Sequence, residues 1–193
     1  MLALSRGIDA LNLFVGRAAY WLILLMVLIS AGNAVSRYAL NASSNAWLEI
    51  QWYLFSAVFL LCSGYALLLN QHVRIDIVVG RFSKRVHAWI DIFGTLLFLL
   101  PMAITIMWLS WPVFVEAYAR HEISTNAGGL TVWPARLLVP IGFALLILQG
   151  LSELIKRIAF LRALIPYPLD KDDGPSAEVQ LAAEIALQRE EAR

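Results

Sequence analysis

Charge is what this chain has least of. Only 15% of its 193 residues are Asp, Glu, Lys or Arg, and 60% are apolar. An ordinary soluble domain carries roughly 25% charged residues. The net charge is +1, from 15 basic and 14 acidic residues. No overall field therefore draws in an anionic partner, and a basic nucleic-acid binder is excluded. Cysteine is nearly absent. Cys62 stands alone and cannot close an internal disulfide, which excludes a disulfide-framed secreted scaffold. A mean hydropathy of +0.70 excludes a disordered chain, which has low hydrophobicity and high net charge.

The apolar excess comes in unbroken runs. Residues 18–36, 50–73, 92–115 and 137–152 lie between consecutive charged residues. About 20 predominantly apolar residues cross the hydrocarbon core as a helix. The first three runs are long enough directly. The fourth is long enough if residues 133–136 sit at the membrane surface with Arg136 snorkelling. Backbone polar groups must be satisfied internally in lipid, so the runs are read as helices. The predicted class is an all-α integral membrane protein. Four transmembrane helices, at about 18–38, 50–71, 92–114 and 133–153, make a membrane domain of residues 1–165. The first run exceeds a signal-peptide core and no suitable cleavage site follows, so it is expected to be a retained anchor.

Nine basic residues flank one side of these spans: Arg6, Arg17, Arg74, Arg81, Lys84, Arg85, Lys156, Arg157 and Arg162. Three, Arg37, Arg120 and Arg136, flank the other. The richer side faces the cytoplasm, so both termini are expected there. On this topology all seven tryptophans fall near span ends, as an aromatic belt requires.

Between the second and third spans, residues 76–91 are amphipathic. Val78, Phe82, Val86 and Trp89 recur at helical spacing, with Arg81, Lys84 and Arg85 between them. This pattern suits either a helix in the cytoplasmic interface with its basic face on anionic lipid headgroups or an ordinary membrane-flanking helix with no partner. The stretch before Arg17 has similar amphipathicity. Gly128, Gly129 and Pro134 punctuate the last outer connection, and Pro101 should kink the third span. Residues 166–193 form an acidic tail, expected to be cytoplasmic; seven acids and three bases lie in 170–193.

No ionisable residue lies in the middle of a span. Proton relays and ion-coupling sites usually need one. Ser63 has no histidine at matching depth to activate it, and no phosphate-binding glycine loop is present. His72 and Asp76 can share a helix face, but no further metal ligand accompanies them. No catalytic residue, metal or cofactor is expected, and the chain is not read as an enzyme. Gly32 and Ser36 support a close helix crossing. Arg37 and Glu49 face each other across a short connection. They either pair, stapling the first two helices, or stay solvated and never meet.

Several short motifs follow in order: Ser36-Arg37-Tyr38, Trp47-Leu48-Glu49, Gly64-Tyr65-Ala66, His72-Val73-Arg74-Ile75-Asp76, Trp133-Pro134-Ala135-Arg136 and Pro140-Ile141-Gly142. Together, over residues 10–160, they resemble the small permease subunit of tripartite ATP-independent periplasmic (TRAP) transporters. Ile50 departs from the pattern, because many members carry a second acid there. The resemblance implies a bacterial inner-membrane complex without nucleic acid. A periplasmic binding protein delivers a solute, often an organic acid, to a large membrane subunit that holds the solute and sodium sites. The small subunit holds the large one in the bilayer. The stretch 122–130, leading to Trp133 and Pro134, looks most like members associated with keto-acid or polyol uptake. A self-sufficient small transporter and an intramembrane enzyme are the competing readings.

Overall fold

The computed structural model describes residues 1–41, 44–70 and 83–166. His72, Asp76, Arg81 and the acidic tail beyond residue 166 lie outside the described residues. Four helices are long and apolar enough to cross a membrane: α1 Leu2–Ala39, α2 Asn45–Leu68, α3 Lys84–Ala119 and α4 Trp133–Leu161. The chain is a multi-pass, all-α membrane protein.

The helices are longer than the charge-free runs inside them. At 1.5 Å per residue, α1 spans about 57 Å and α3 about 54 Å, against a hydrocarbon core of about 30 Å. The surplus lies at one end of the bundle, where α1 begins, α3 begins and α4 ends. This is called the terminal end here, and the opposite one the loop end. The stretch before Arg17 and the described part of the second amphipathic stretch belong to that surplus. The stretch before Arg17 is the first part of α1, and residues 84–91 are the first turns of α3. Both run into their spans without a break.

Helix α4 is the hub. It packs against α1, α2 and α3, while α1 and α2 also pack on each other. In its most apolar stretch 44% of residues are buried, against 11% in each other helix. Small residues make this possible. Six of the nine buried hydrophobic residues described are alanines. A Cβ on Gly142 would come within 2.7 Å of the Leu60 carbonyl oxygen, so α2 and α4 cross there backbone to backbone. Lipid supplies no hydrophobic drive between helices, and close packing takes its place. The largest fully buried side chains include Gln149, Asn12, Ser5 and Ser152, whereas Trp21, Trp52, Trp89 and Trp108 are exposed. Polar inside and apolar outside is the pattern a lipid solvent selects.

Pro101 acts through a local widening. It has no N–H for the Leu97 carbonyl. A π turn, Thr95–Leu99, immediately precedes it, and the α-helix resumes at Leu100. Such bulges absorb a break in the hydrogen-bond ladder.

The buried residues of α1 are Ser5, Ile8, Asn12, Gly16 and Ala19, a stripe at spacings of three and four. From Tyr20 to the end of the helix none is buried. There Leu28, Ile29, Gly32, Asn33 and Ser36 line a groove of about 490 Å³ with Ser44 and Trp47. A Cβ on Gly32 would meet nothing within 4 Å. The close crossing expected at Gly32 and Ser36 is therefore not made at Gly32 within the described chain.

Candidate functional site

Polar side chains converge at both ends of the bundle. At the loop end, Asn45, Glu49 and Tyr53 stand four residues apart on α2 and so share one face. All three hold the connection between α3 and α4. The Asn45 amide donates to the Ala127 carbonyl at 3.0 Å, and the Tyr53 hydroxyl to the Thr131 carbonyl at 3.1 Å. Glu49 lies between them, only 5% exposed. Its Oε1 accepts from the Ser124 hydroxyl and from Asn126 Nδ2 at 2.8 Å. Its Oε2 accepts from the Leu130 N–H at 2.7 Å.

The connection is itself ordered. Helix α3 closes with His121 at φ 49°, and the Glu122 N–H bonds back to the Ala117 carbonyl. This six-to-one bond is a Schellman-type stop. Ile123 and Thr131 pair as an isolated antiparallel bridge, and Gly128 turns the chain at φ 70°. A fork of two 2.6 Å bonds from Arg136 to Glu122 ties the first turn of α4 to the end of α3. Trp133 meets the Tyr118 ring edge-on at 5.5 Å between centroids.

Glu49 therefore has different partners from the one the sequence suggested. The Arg37 guanidinium lies 5.5 Å from the centre of the neighbouring Tyr38 ring. No Arg37–Glu49 ion pair is present among the described residues. The loop's backbone and amide donors satisfy the carboxylate instead.

At the terminal end, charges and amides interlock in the surplus length of α1, α3 and α4. Ser5 and Ser152 hydroxyls meet at 2.7 Å. Asp9 accepts from Ser152 at 2.7 Å and from Gln149 at 3.0 Å, and its other oxygen pairs with Lys156 at 2.7 Å. Asn12 donates to Gln149 Oε1 at 3.0 Å. Arg157, 4% exposed, bridges Glu153 and Asp91, the latter at 2.9 Å. One α4 face thus binds α1 and the start of α3. The fully charged members lie below the charge-free runs, and only the neutral Asn12, Gln149 and Ser152 extend the network upward. Burying neutral amides costs far less than burying charge, provided they are hydrogen-bonded.

Sequence reasoning missed this network. Its trace was present: Ser5, Asp9 and Asn12, and Gln149, Ser152, Lys156 and Arg157, follow helical spacing on otherwise apolar helices. Lys84 and Arg85 open α3 on the same end, and both are exposed. No group of three or more His, Cys, Asp or Glu arranged to hold a metal occurs among the described residues. Both clusters join helices to helices or to a loop.

A family model for the DctQ component of tripartite ATP-independent periplasmic transporters matches residues 26–160. The chain belongs to that family. It is thus the small membrane subunit of a TRAP transporter, a component of a three-part assembly. No curated protein and no solved structure matches it. The small subunit's motif residues have packing roles here. Gly64 faces Asn12, Tyr65 covers Gly16, Glu49 holds the loop, and Gly142 seats Leu60.

Proposed function

We propose that this TRAP subunit is a scaffold rather than a carrier. It holds the large membrane subunit in the bacterial inner membrane, with both of its own termini in the cytoplasm. The large subunit moves a small solute, an organic acid, on a sodium gradient after delivery by the periplasmic binding protein. Solute and sodium sites reside in that large subunit, and this chain needs no cofactor.

One observation carries the reading. The buried ionisable groups described, Glu49, Glu153 and Arg157, are all engaged in holding the chain's own parts together. None is left over for an ion or a solute. The outer half of α1, in contrast, has no buried residue over about 30 Å of helix. Its Asn33 lines an open groove beside Gly32. Amides and glycines at lipid depth favour helix–helix association, so this half-helix suits the stationary part of the large subunit.

Reconstitution tests the division of labour. Vesicles holding this chain alone should take up no solute under a sodium gradient. Vesicles with the large subunit and the binding protein should take it up only when this chain is added. Gradient-driven uptake by the lone chain would overturn the scaffold reading and favour a self-sufficient transporter.

A further inference from the structure

The terminal end holds a cleft that neither the scaffold role nor the polar network uses. It lies between the first turn of α3 and the end of α4, with a volume of about 370 Å³. Among the described residues, Arg85 forms its charged wall, and Phe160, Ala163, Leu164, Ile165 and Pro166 form its apolar one. None of these residues is acidic. The nearby acids Asp91 and Glu153 are already bound to Arg157. Arg85 precedes the charge-free run of α3 by seven residues, or about 10 Å, which places it at headgroup depth. Leu164, 67% exposed, lies beside it. A cation at headgroup level against an apolar wall matches one ligand chemistry, a phosphate carrying acyl chains. The first turn of α3 contains no acid, so the positive end of the helix dipole adds to the attraction rather than opposing it.

We propose that this cleft is a site for one anionic phospholipid, its phosphate on Arg85 and its glycerol and upper acyl carbons against Phe160, Leu164 and Ile165. Arginine can grip a phosphate with two parallel bonds. The site is distinct from a diffuse basic surface because the charge comes from the first turn of α3, whereas the apolar wall comes from Phe160 at the end of α4 and from residues 163–166 that follow it. On the proposed orientation of this end, the lipid belongs to the cytoplasmic leaflet.

Native mass spectrometry of the detergent-solubilised full chain, titrated with phosphatidylglycerol or phosphatidylcholine, tests it. Wild type should bind one phosphatidylglycerol in preference to phosphatidylcholine. Arg85→Gln should weaken that binding about tenfold, the scale of a lost charge-assisted hydrogen bond, while Arg85→Lys loses less. Arg6→Gln removes the same charge from the same end of the bundle and should change nothing. Equal losses in Arg85→Gln and Arg6→Gln would reduce the effect to general surface charge and overturn the site, as would an unchanged Arg85→Gln titration. If Arg85→Gln does not fold, Leu164→Ser serves: weaker binding is expected, and wild-type binding overturns the proposal. The titration contains no partner subunit, so its failure leaves the scaffold reading untouched.

Discussion

Asn12 presents an unusual contact. Its side-chain oxygen is fully buried and has no hydrogen-bond donor, yet its amide is fixed by bonds to Ile8 and Gln149. The oxygen rests on the bare Cα of Gly64, where any Cβ would collide with it and come within 3.1 Å of the Leu145 carbonyl oxygen. Cα–H···O contacts recur at helix interfaces and partly satisfy such an oxygen. Glycine is thus required where α1, α2 and α4 meet. Gly64→Ala should destabilise the chain by about 1–3 kcal/mol, the usual cost of overpacking. Gly32→Ala, in open space, should be near neutral. Thermal unfolding in detergent compares them, and equal midpoints would sink the argument. Glu49 is a second such residue. Glu49→Ala strands the Ser124 hydroxyl, the Asn126 amide and the Leu130 N–H together, so proteolysis within residues 122–131 should become several-fold faster. Arg37→Ala should leave the cleavage rate at the wild-type value, whereas a true Arg37–Glu49 staple would make the two variants alike.

Among the elements, α4 gathers the others, and Arg157 is its densest junction. It holds Glu153 on its own helix and Asp91 on α3, nearly out of water. Removing one member of a buried ionic set leaves its partners uncompensated, which costs about 3–5 kcal/mol. Arg157→Met should therefore cost that much in an unfolding titration. Asp91→Asn/Glu153→Gln/Arg157→Met should recover a large part of it, and strictly additive losses would show that the three do not act as a unit. The spans were legible as charge-free runs because lipid forbids unpaired charge, and all four runs fall largely within observed helices. The extra length at the terminal end was legible only as two amphipathic stretches and not as part of the spans, because a charge-free criterion stops at Arg17, Asp91 and Glu153, and so leaves out Asp9 and Arg157. Those residues read as solvated until three helices bring them together. The loop clamp was hidden for a different reason. Glu49 meets Ser124, Asn126 and Leu130 from 75 to 81 positions away, whereas Arg37 was simply the nearest opposite charge along the chain. The Ser36 to Asp76 and Trp133 to Gly142 motifs identified the family without revealing what their residues touch.

For the whole molecule, the two clamps differ in chemistry as well as position. The loop-end clamp joins a carboxylate mainly to neutral donors, and its basic residues are few: Arg37, Arg120 and Arg136. The terminal end carries Arg6, Arg17, Lys84, Arg85, Lys156, Arg157 and Arg162 on its described helices. Not all of that charge is available to orient the chain. Lys156 and Arg157 are committed to Asp9, Glu153 and Asp91, Arg136 is committed to Glu122, and Arg120 to Glu116. Setting those four aside leaves Arg37 on the loop end against Arg6, Arg17, Arg85 and Arg162 on the described terminal end, so the asymmetry survives these pairings. Retention of Lys and Arg on the cytoplasmic side then supports the proposed cytoplasmic placement of the terminal end. A reporter active only in the periplasm should be silent when fused after Arg193 and active when inserted at residues 127–128, where the loop is exposed. Replacing Arg6, Arg17, Arg74, Arg81, Lys84 and Arg85 together by glutamine leaves Arg162 and the paired Lys156 and Arg157 against Arg37 and the paired Arg120 and Arg136, and should produce a mixed population with activity from both fusions. The same six replacements without any change in reporter pattern would mean that the network residues, paired as they are, still set the orientation. A reporter active after Arg193 in the unaltered chain would reverse the topology and move the loop-end clamp to the cytoplasm.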